Sequence, residues 1–354
     1  MKRKLFLGAL ALASVLALTL TLFSSCTDKA AGKKKFSSYS MDYFDTVTTI
    51  VGYEHSQEDF DRVSDEILRE LAEYHRLYTI YHRFEGLENL CTVNELKDGA
   101  HRTVKVDRRI IDMLLYAKEM YTLTEGRVNI AMGSVLSLWH TYRTLGTDDP
   151  ENAALPPMDK LQAAALHTDI DKLVIDEENE TVTLTDPQMT LDVGAIAKGY
   201  AAERIARSLE ESGITGYVLN VGGNICSIGT KPDGTKWTVG IENPLGEEYL
   251  AYLALDGQCV VTSGSYQRFY YVDGRPYHHI IDPDTLMPAE RGYLSVSVVC
   301  EDSGLGDALS TALFCLSKAE GLALIESIPE ADAMWVDSSG AKSYSSGWAQ
   351  YVKE

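Results

Sequence analysis

Positive charge is scarce in this 354-residue chain: 32 lysines and arginines stand against 52 aspartates and glutamates, a formal net charge of −20 at pH 7. Removal of Lys2, Arg3 and Lys4 with a leader would deepen the deficit. Such a balance argues against nucleic acid or anionic lipid held by a basic surface. Any polyphosphate ligand therefore needs local compensation from a metal or a few placed lysines. Patterned cysteine is also missing. The six cysteines (Cys26, Cys91, Cys226, Cys259, Cys300 and Cys315) form no C-x-x-C and no Cys/His spacing suited to zinc. Most lie in apolar strand-like or helical runs, where a small buried hydrophobe is the expected role. No internal repeat is visible, and nothing between Ser38 and Tyr344 reads as a domain linker. Helices and strands do not alternate steadily, which excludes a doubly wound sheet and predicts an α+β class with one body, of two lobes at most.

What is present begins at the N-terminus. Lys2, Arg3 and Lys4 precede an uncharged apolar run over residues 5–23, and LFSSC ends at Cys26. This resembles a bacterial lipoprotein signal over residues 1–25, with Cys26 as the lipidated first residue; an uncleaved membrane anchor is the rival. Either places the protein outside the cytoplasm, membrane-anchored. Polar residues 26–37 then read as a tether, and residues 38–345 as a single domain. At 45% hydrophobic and 24% charged overall, the chain has material for a core.

Along it, residues 37–52 are rich in β-branched side chains and predict an opening strand. Val63, Ile67, Leu71, Tyr74 and Tyr78 recur at helical spacing. Residues 79–99 read as a loop, 106–123 as a second helix, and 146–157 as a polar loop. A helix over 158–167 precedes a hairpin, LVID and TVTLT. After a helix to about Ser212, mostly strands fill residues 217–300. Helices over 305–316 and 318–328 and a strand near 331–336 close the chain.

Several stretches carry chemistry. In the helix after YLSVSVVC, Asp307 and Thr311 lie one turn apart on one face. A carboxylate and a hydroxyl so placed suit a hard divalent cation such as Mg²⁺; read alone, they equally suit a helix N-terminus with a dipole-matched Asp. LDVGAIAKGY leads a strand end into a helix start carrying Lys198, an anion site or a packing corner. LNVGGNI offers glycines for close approach or a plain turn, and VVTSGSYQRFY a polar wall or a hairpin. In YHHIIDP, adjacent histidines on a strand point to opposite faces, which suits one as a base while the other faces solvent or packs, or equally an incidental pair at a strand end.

In this order, LDVGAIAKGY, VGGNI, VVTSG, HHIIDP and GDALSTALF resemble the ApbE family, the FAD:protein FMN transferases, over about residues 41–335. The resemblance implies an α+β, T-fold-like core of mixed or antiparallel sheets with flanking helices. It implies Mg²⁺-dependent transfer of FMN from FAD to a Thr or Ser hydroxyl of an acceptor protein, releasing AMP. The implied acceptor is a membrane redox subunit or an FMN-binding lipoprotein. Its pattern puts metal ligands on the Ala195 carbonyl, Asp307 and Thr311, and the base on His279. FAD contacts fall on Met41, Tyr78, Asn94, Asp192, Lys198 and Ile280. Three departures stand out: residues 42–46 replace the usual M-G-T segment, residues 79–94 depart from the family's loop, and Gly306 stands where Ala is usual, which predicts a looser helix start. An FAD pyrophosphatase and a non-catalytic FAD-binding lipoprotein remain as other readings.

Overall fold

Strand β13 (Tyr293–Cys300) shows how the molecule is layered, because both of its faces are buried. Val296, Val298 and Cys300 alternate onto one side and pack with Leu309, Leu313 and Phe314 of helix α7 (Ser303–Cys315). Val299 points the other way, against Leu253, Leu255, Met334 and Val336. A sheet with two apolar faces needs cover on both, and each such side chain contributes about 1.5–3 kcal/mol on burial. The computed structural model describes residues 32–95, 102–246 and 248–353. The leader, Cys26 and most of the tether lie outside the described residues. Within them, no helix is long and apolar enough to cross a membrane.

The main sheet has eight strands. Their order is β1 (Lys34–Ser40), β2 (Thr48–Glu54), β6 (Tyr217–Val221), β7 (Asn224–Ile228), β10 (Cys259–Gly264), β13, β14 (Asp332–Asp337) and β15 (Lys342–Tyr344). Every neighbouring pair is antiparallel. Helices α1 (Gln57–Tyr78), α6 (Ala197–Glu211) and α7 cover one face. A hairpin of β8 (Trp237–Glu242) and β9 (Tyr249–Leu255), with Trp348, covers the other. The class is α+β, as expected.

Several boundaries differ from expectation for local reasons. The opening strand is two, because Phe44 and Asp45 both adopt positive φ (54° and 50°) and turn the chain back. That turn is pinned by the Phe44 N–H, which donates to His75 Nδ1 at 3.1 Å. Strand β1 starts at Lys34, inside the expected tether. At the other end, Trp348 is 2% exposed, so the packed body runs past residue 345. The expected loop over residues 79–99 contains helix α2 (Leu90–Asn94), started by an Asn89 capping box with Thr92. Helix α4 (Gly133–Asp148) runs on into the polar stretch expected as loop. Gly146 permits this, since a Cβ there would stand 2.7 Å from Tyr270 Cδ2 of strand β11 (Phe269–Val272).

The start of α7 is not loosened by Gly306. Asp302 caps it, accepting the Leu305 N–H at 2.9 Å, and the Gly306 N–H donates to the Asp302 carbonyl at 3.0 Å. Gly306 is a close-approach residue instead: a Cβ would lie 2.8 Å from Val261 Cγ2 and 3.2 Å from Cys300 Sγ. Gly306→Ala is therefore expected to destabilise by about 1–3 kcal/mol through overpacking, despite better helix propensity. A urea midpoint equal to the parent's would show slack that these distances deny.

Candidate active site

Helices α6 and α7 meet at a glycine. A Cβ on Gly199 would stand 2.3 Å from the Ser303 carbonyl and 2.6 Å from Asp307 Cβ, so only glycine allows this approach. The Gly199 N–H donates to Asp307 Oδ2 at 2.9 Å. By α-helical spacing that N–H would otherwise reach the Ala195 carbonyl, which accepts no backbone hydrogen bond among the described residues. Four residues on, Glu203 Oε2 accepts the Ser303 N–H at 2.9 Å, a second tie between the helices. Lys198 Nζ donates to the Gly194 carbonyl at 3.2 Å and lies 3.7 Å from Asp307 Oδ2.

Asp307 is 4% exposed. Burial pushes its carboxyl above the usual carboxylate range, while Lys198 and the Gly199 N–H pull the other way. Its second oxygen takes no hydrogen bond among the described residues. One turn on, Thr311 Oγ1 lies 3.4 Å from Ser263 Oγ of β10, and that hydroxyl is 2.9 Å from Ser310 Oγ. The donors gathered here (a carboxylate, a hydroxyl and a free carbonyl) are all oxygens. They fit a hard cation, which would supply the charge that one lysine at 3.7 Å leaves short.

The adjacent histidines at the end of strand β12 (Arg275–His278) part company. His278 spends both nitrogens on the fold: Nδ1 accepts the Ile280 N–H at 3.2 Å, and Nε2 donates to the Ala289 carbonyl at 3.1 Å. His279 spends one. Its Nδ1 sits 3.2 Å from the Arg268 carbonyl, an acceptor only, which fixes the proton on Nδ1 and leaves Nε2 with a free lone pair. Burial, then the Arg268 and Arg143 guanidinium groups, push its pKa down to about 3, so the ring is neutral at physiological pH. Arg268 also donates to the Asp45 carbonyl at 2.9 Å, tying this corner to the turn after β1.

The other expected contacts divide into open and packed positions. Asp192 caps its own turn, Oδ1 accepting the Gly194 N–H at 2.9 Å, with Oδ2 3.7 Å from His140 Nε2. Met41 is 48% exposed, in the segment whose Thr46 lies against Gly222. Three of the expected contact residues have roles within the fold. Tyr78 is 2% exposed and donates its hydroxyl to the Arg109 carbonyl at 3.1 Å, a core position. Asn94 is a clamp: its side chain donates to the Leu191 carbonyl (2.9 Å) and accepts the Leu191 N–H (2.7 Å), which sets the strand end carrying Asp192. Ile280 packs into the cluster under β13 and has both backbone groups bonded, so it seats His279.

Sequence reasoning missed Tyr81, His140 and Arg143. His140 Nδ1 lies 3.2 Å from the Tyr81 hydroxyl, which extends the Asp192 contact into a polar chain. Arg143, one turn on in α4, forms no side-chain hydrogen bond or ion pair among the described residues. Burial and Arg268 lower its pKa. The signal was present, since NIAMGSVLSLWH ends at His140, but no spacing in the sequence ties that helix to Asp192.

The ApbE family model matches residues 44–335. An FAD:protein FMN transferase of Klebsiella pneumoniae is 31% identical over 268 residues, 73% of this chain and 80% of that protein. One from Treponema pallidum is 34% identical over 248 residues, 66% and 67%. Among solved structures, the ApbE protein of Thermotoga maritima superposes with a TM-score of 0.77 at 27% identity, covering 91% of this chain and all of that one. The flavin transferase ApbE of Vibrio cholerae shares the fold, with a TM-score of 0.74 at 24% identity, over 90% and 99%.

Proposed function

Because the chain belongs to the ApbE family, we propose that it transfers FMN from FAD to a Thr or Ser hydroxyl of an acceptor protein, releasing AMP. The observation that carries this reading is His279, a neutral histidine with one lone pair free, linked through the 263–268 segment to the half-buried Thr311 hydroxyl one turn from the buried Asp307 carboxylate. The acceptor hydroxyl attacks the phosphorus on the riboflavin side of FAD. A new P–O bond forms as the bond to the bridging oxygen breaks, and that electron pair leaves on AMP. His279 Nε2 takes the hydroxyl proton, with Nδ1–H held by the Arg268 carbonyl. Lys198 lies beside Asp307, placed to meet charge on the leaving phosphate. Asp307, Thr311 and the Ala195 carbonyl would hold Mg²⁺, which when bound neutralises the diphosphate. Asp192 and the exposed Met41 are the FAD contacts we retain, with Tyr78, Asn94 and Ile280 shaping the walls behind them.

The leader ending at Cys26 supports a membrane-anchored lipoprotein outside the cytoplasm, acting on a membrane redox subunit or an FMN-binding lipoprotein. The test is to incubate the protein with FAD, Mg²⁺ and a co-expressed candidate acceptor, then weigh the acceptor. A mass gain equal to FMN esterified to a hydroxyl is expected. Release of FMN and AMP without acceptor labelling would make it a pyrophosphatase, and recovery of intact FAD would make it a binding protein.

A further inference from the structure

Three cysteines far apart in sequence are neighbours in space. Cys226 of β7 pairs directly with Cys259 of β10, and Cys259 with Cys300 of β13. Directly opposed residues of antiparallel strands point to the same face, so three thiols form a row across the sheet. All three are buried, at 0%, 2% and 1% exposure. Glu203 descends onto that row from α6, itself 2% exposed, with Oε2 3.8 Å from Cys259 Sγ. One ligand atom each from Glu203, Cys226 and Cys259 lie within 4.8 Å of one another.

We infer that Glu203, Cys226 and Cys259 form a buried structural site for a thiophilic d¹⁰ cation, Zn²⁺, with Cys300 the adjacent thiol. Tetrahedral Zn²⁺ with bonds of about 2.3 Å to sulfur and 2.0–2.2 Å to oxygen spaces its ligands roughly 3.6–3.8 Å apart. The carboxylate–thiol distance of 3.8 Å already meets that spacing. Charge also closes. Binding expels one proton from each thiol; two thiolates and a carboxylate against Zn²⁺ leave one negative charge, which the Arg207 guanidinium on Glu203 Oε1 at 2.6 Å offsets. Without the metal, the contact with Cys226 and burial hold the Cys259 thiol well above its ordinary pKa, so that thiol stays protonated.

This site differs in kind from the one at Asp307. Oxygen donors select Mg²⁺ and thiolates select zinc, so the two do not compete. They are mechanically adjacent all the same. Glu203 is one turn beyond Gly199 on α6, and it holds Ser303, one turn before Asp307 on α7. A metal there would brace the helix junction that positions the Asp307 carboxylate.

A sealed site loads during folding, so the full chain is expressed in zinc-supplemented medium, treated with EDTA, gel-filtered and assayed for metal. About one Zn²⁺ per chain should survive in the parent and be lost from the Cys226→Ser/Cys259→Ser variant. Should that variant fail to fold, the cobalt-grown parent decides: a sulfur-to-cobalt charge-transfer band is expected. A zinc-free parent, a variant retaining equal zinc, cobalt protein without the band, or a Cys226–Cys259 disulfide in the unreduced mass map would each overturn the inference.

Discussion

Replacing His279 by alanine is expected to cut FMN transfer by roughly 10²–10⁴-fold at saturating FAD and acceptor, the usual share of a positioned general base. The effect should fall on kcat, because the imidazole meets the acceptor proton only as that bond forms. Its neighbour supplies the control. His278 has both nitrogens engaged inside the fold and its ring centroid 5.5 Å from that of Phe314. His278→Ala should therefore lower the thermal midpoint, each lost hydrogen bond costing about 0.5–1.5 kcal/mol, with a smaller loss of rate in the folded fraction. The pH profile adds a second check with a definite sign. Burial and two arginines depress the His279 pKa to about 3, so the base form is complete from neutrality down to about pH 4. An acid limb centred near 6.5 that vanished in His279→Ala would show an imidazole that neither its surroundings nor the two arginines hold down. Full transfer by His279→Ala would remove it from the role of base.

The legible parts of the fold were those with a short period. Val63, Ile67 and Leu71 marked α1 because a helix repeats its buried face every three or four residues. LVID and TVTLT marked their hairpin because strands alternate. Where a single local contact decides, periodicity had nothing to say. Helix α4 outruns its apolar stretch because Gly146 lets Tyr270 in, and the opening strand breaks because two non-glycine residues adopt positive φ. The site divides the same way. Asp307 and Thr311 are four apart, and one helix delivers both. His140 and Asp192, or Cys226 and Cys259, come together only through packing between elements and sheet register, which no spacing encodes. Tyr78 carries two signals at once: its place in the α1 periodicity marks it as core, where it is 2% exposed, and the motif match marks it as a flavin contact.

Asp307→Ala is the other large effect, expected to abolish Mg²⁺-dependent turnover. A buried carboxylate with raised pKa, one oxygen bonded to Gly199 and the other without a hydrogen bond among the described residues, is half satisfied within the protein. Such an arrangement costs stability unless something else uses it. Removing the carboxylate should thus separate two quantities that a merely structural residue would move together. Transfer at millimolar Mg²⁺ should fall to background, while folding changes by less, because the loss of the Gly199 N–H bond is offset by relief of a buried charge. Asp307→Asn sharpens the contrast. It keeps a carbonyl oxygen for the Gly199 N–H yet removes the charge that a hard cation requires, so it should fold like the parent and still lose metal-dependent activity. Were either variant to keep the parent's dependence of rate on Mg²⁺ concentration, the cation would have to sit elsewhere. Thr311 and Ser263 would then be reassigned to helix packing.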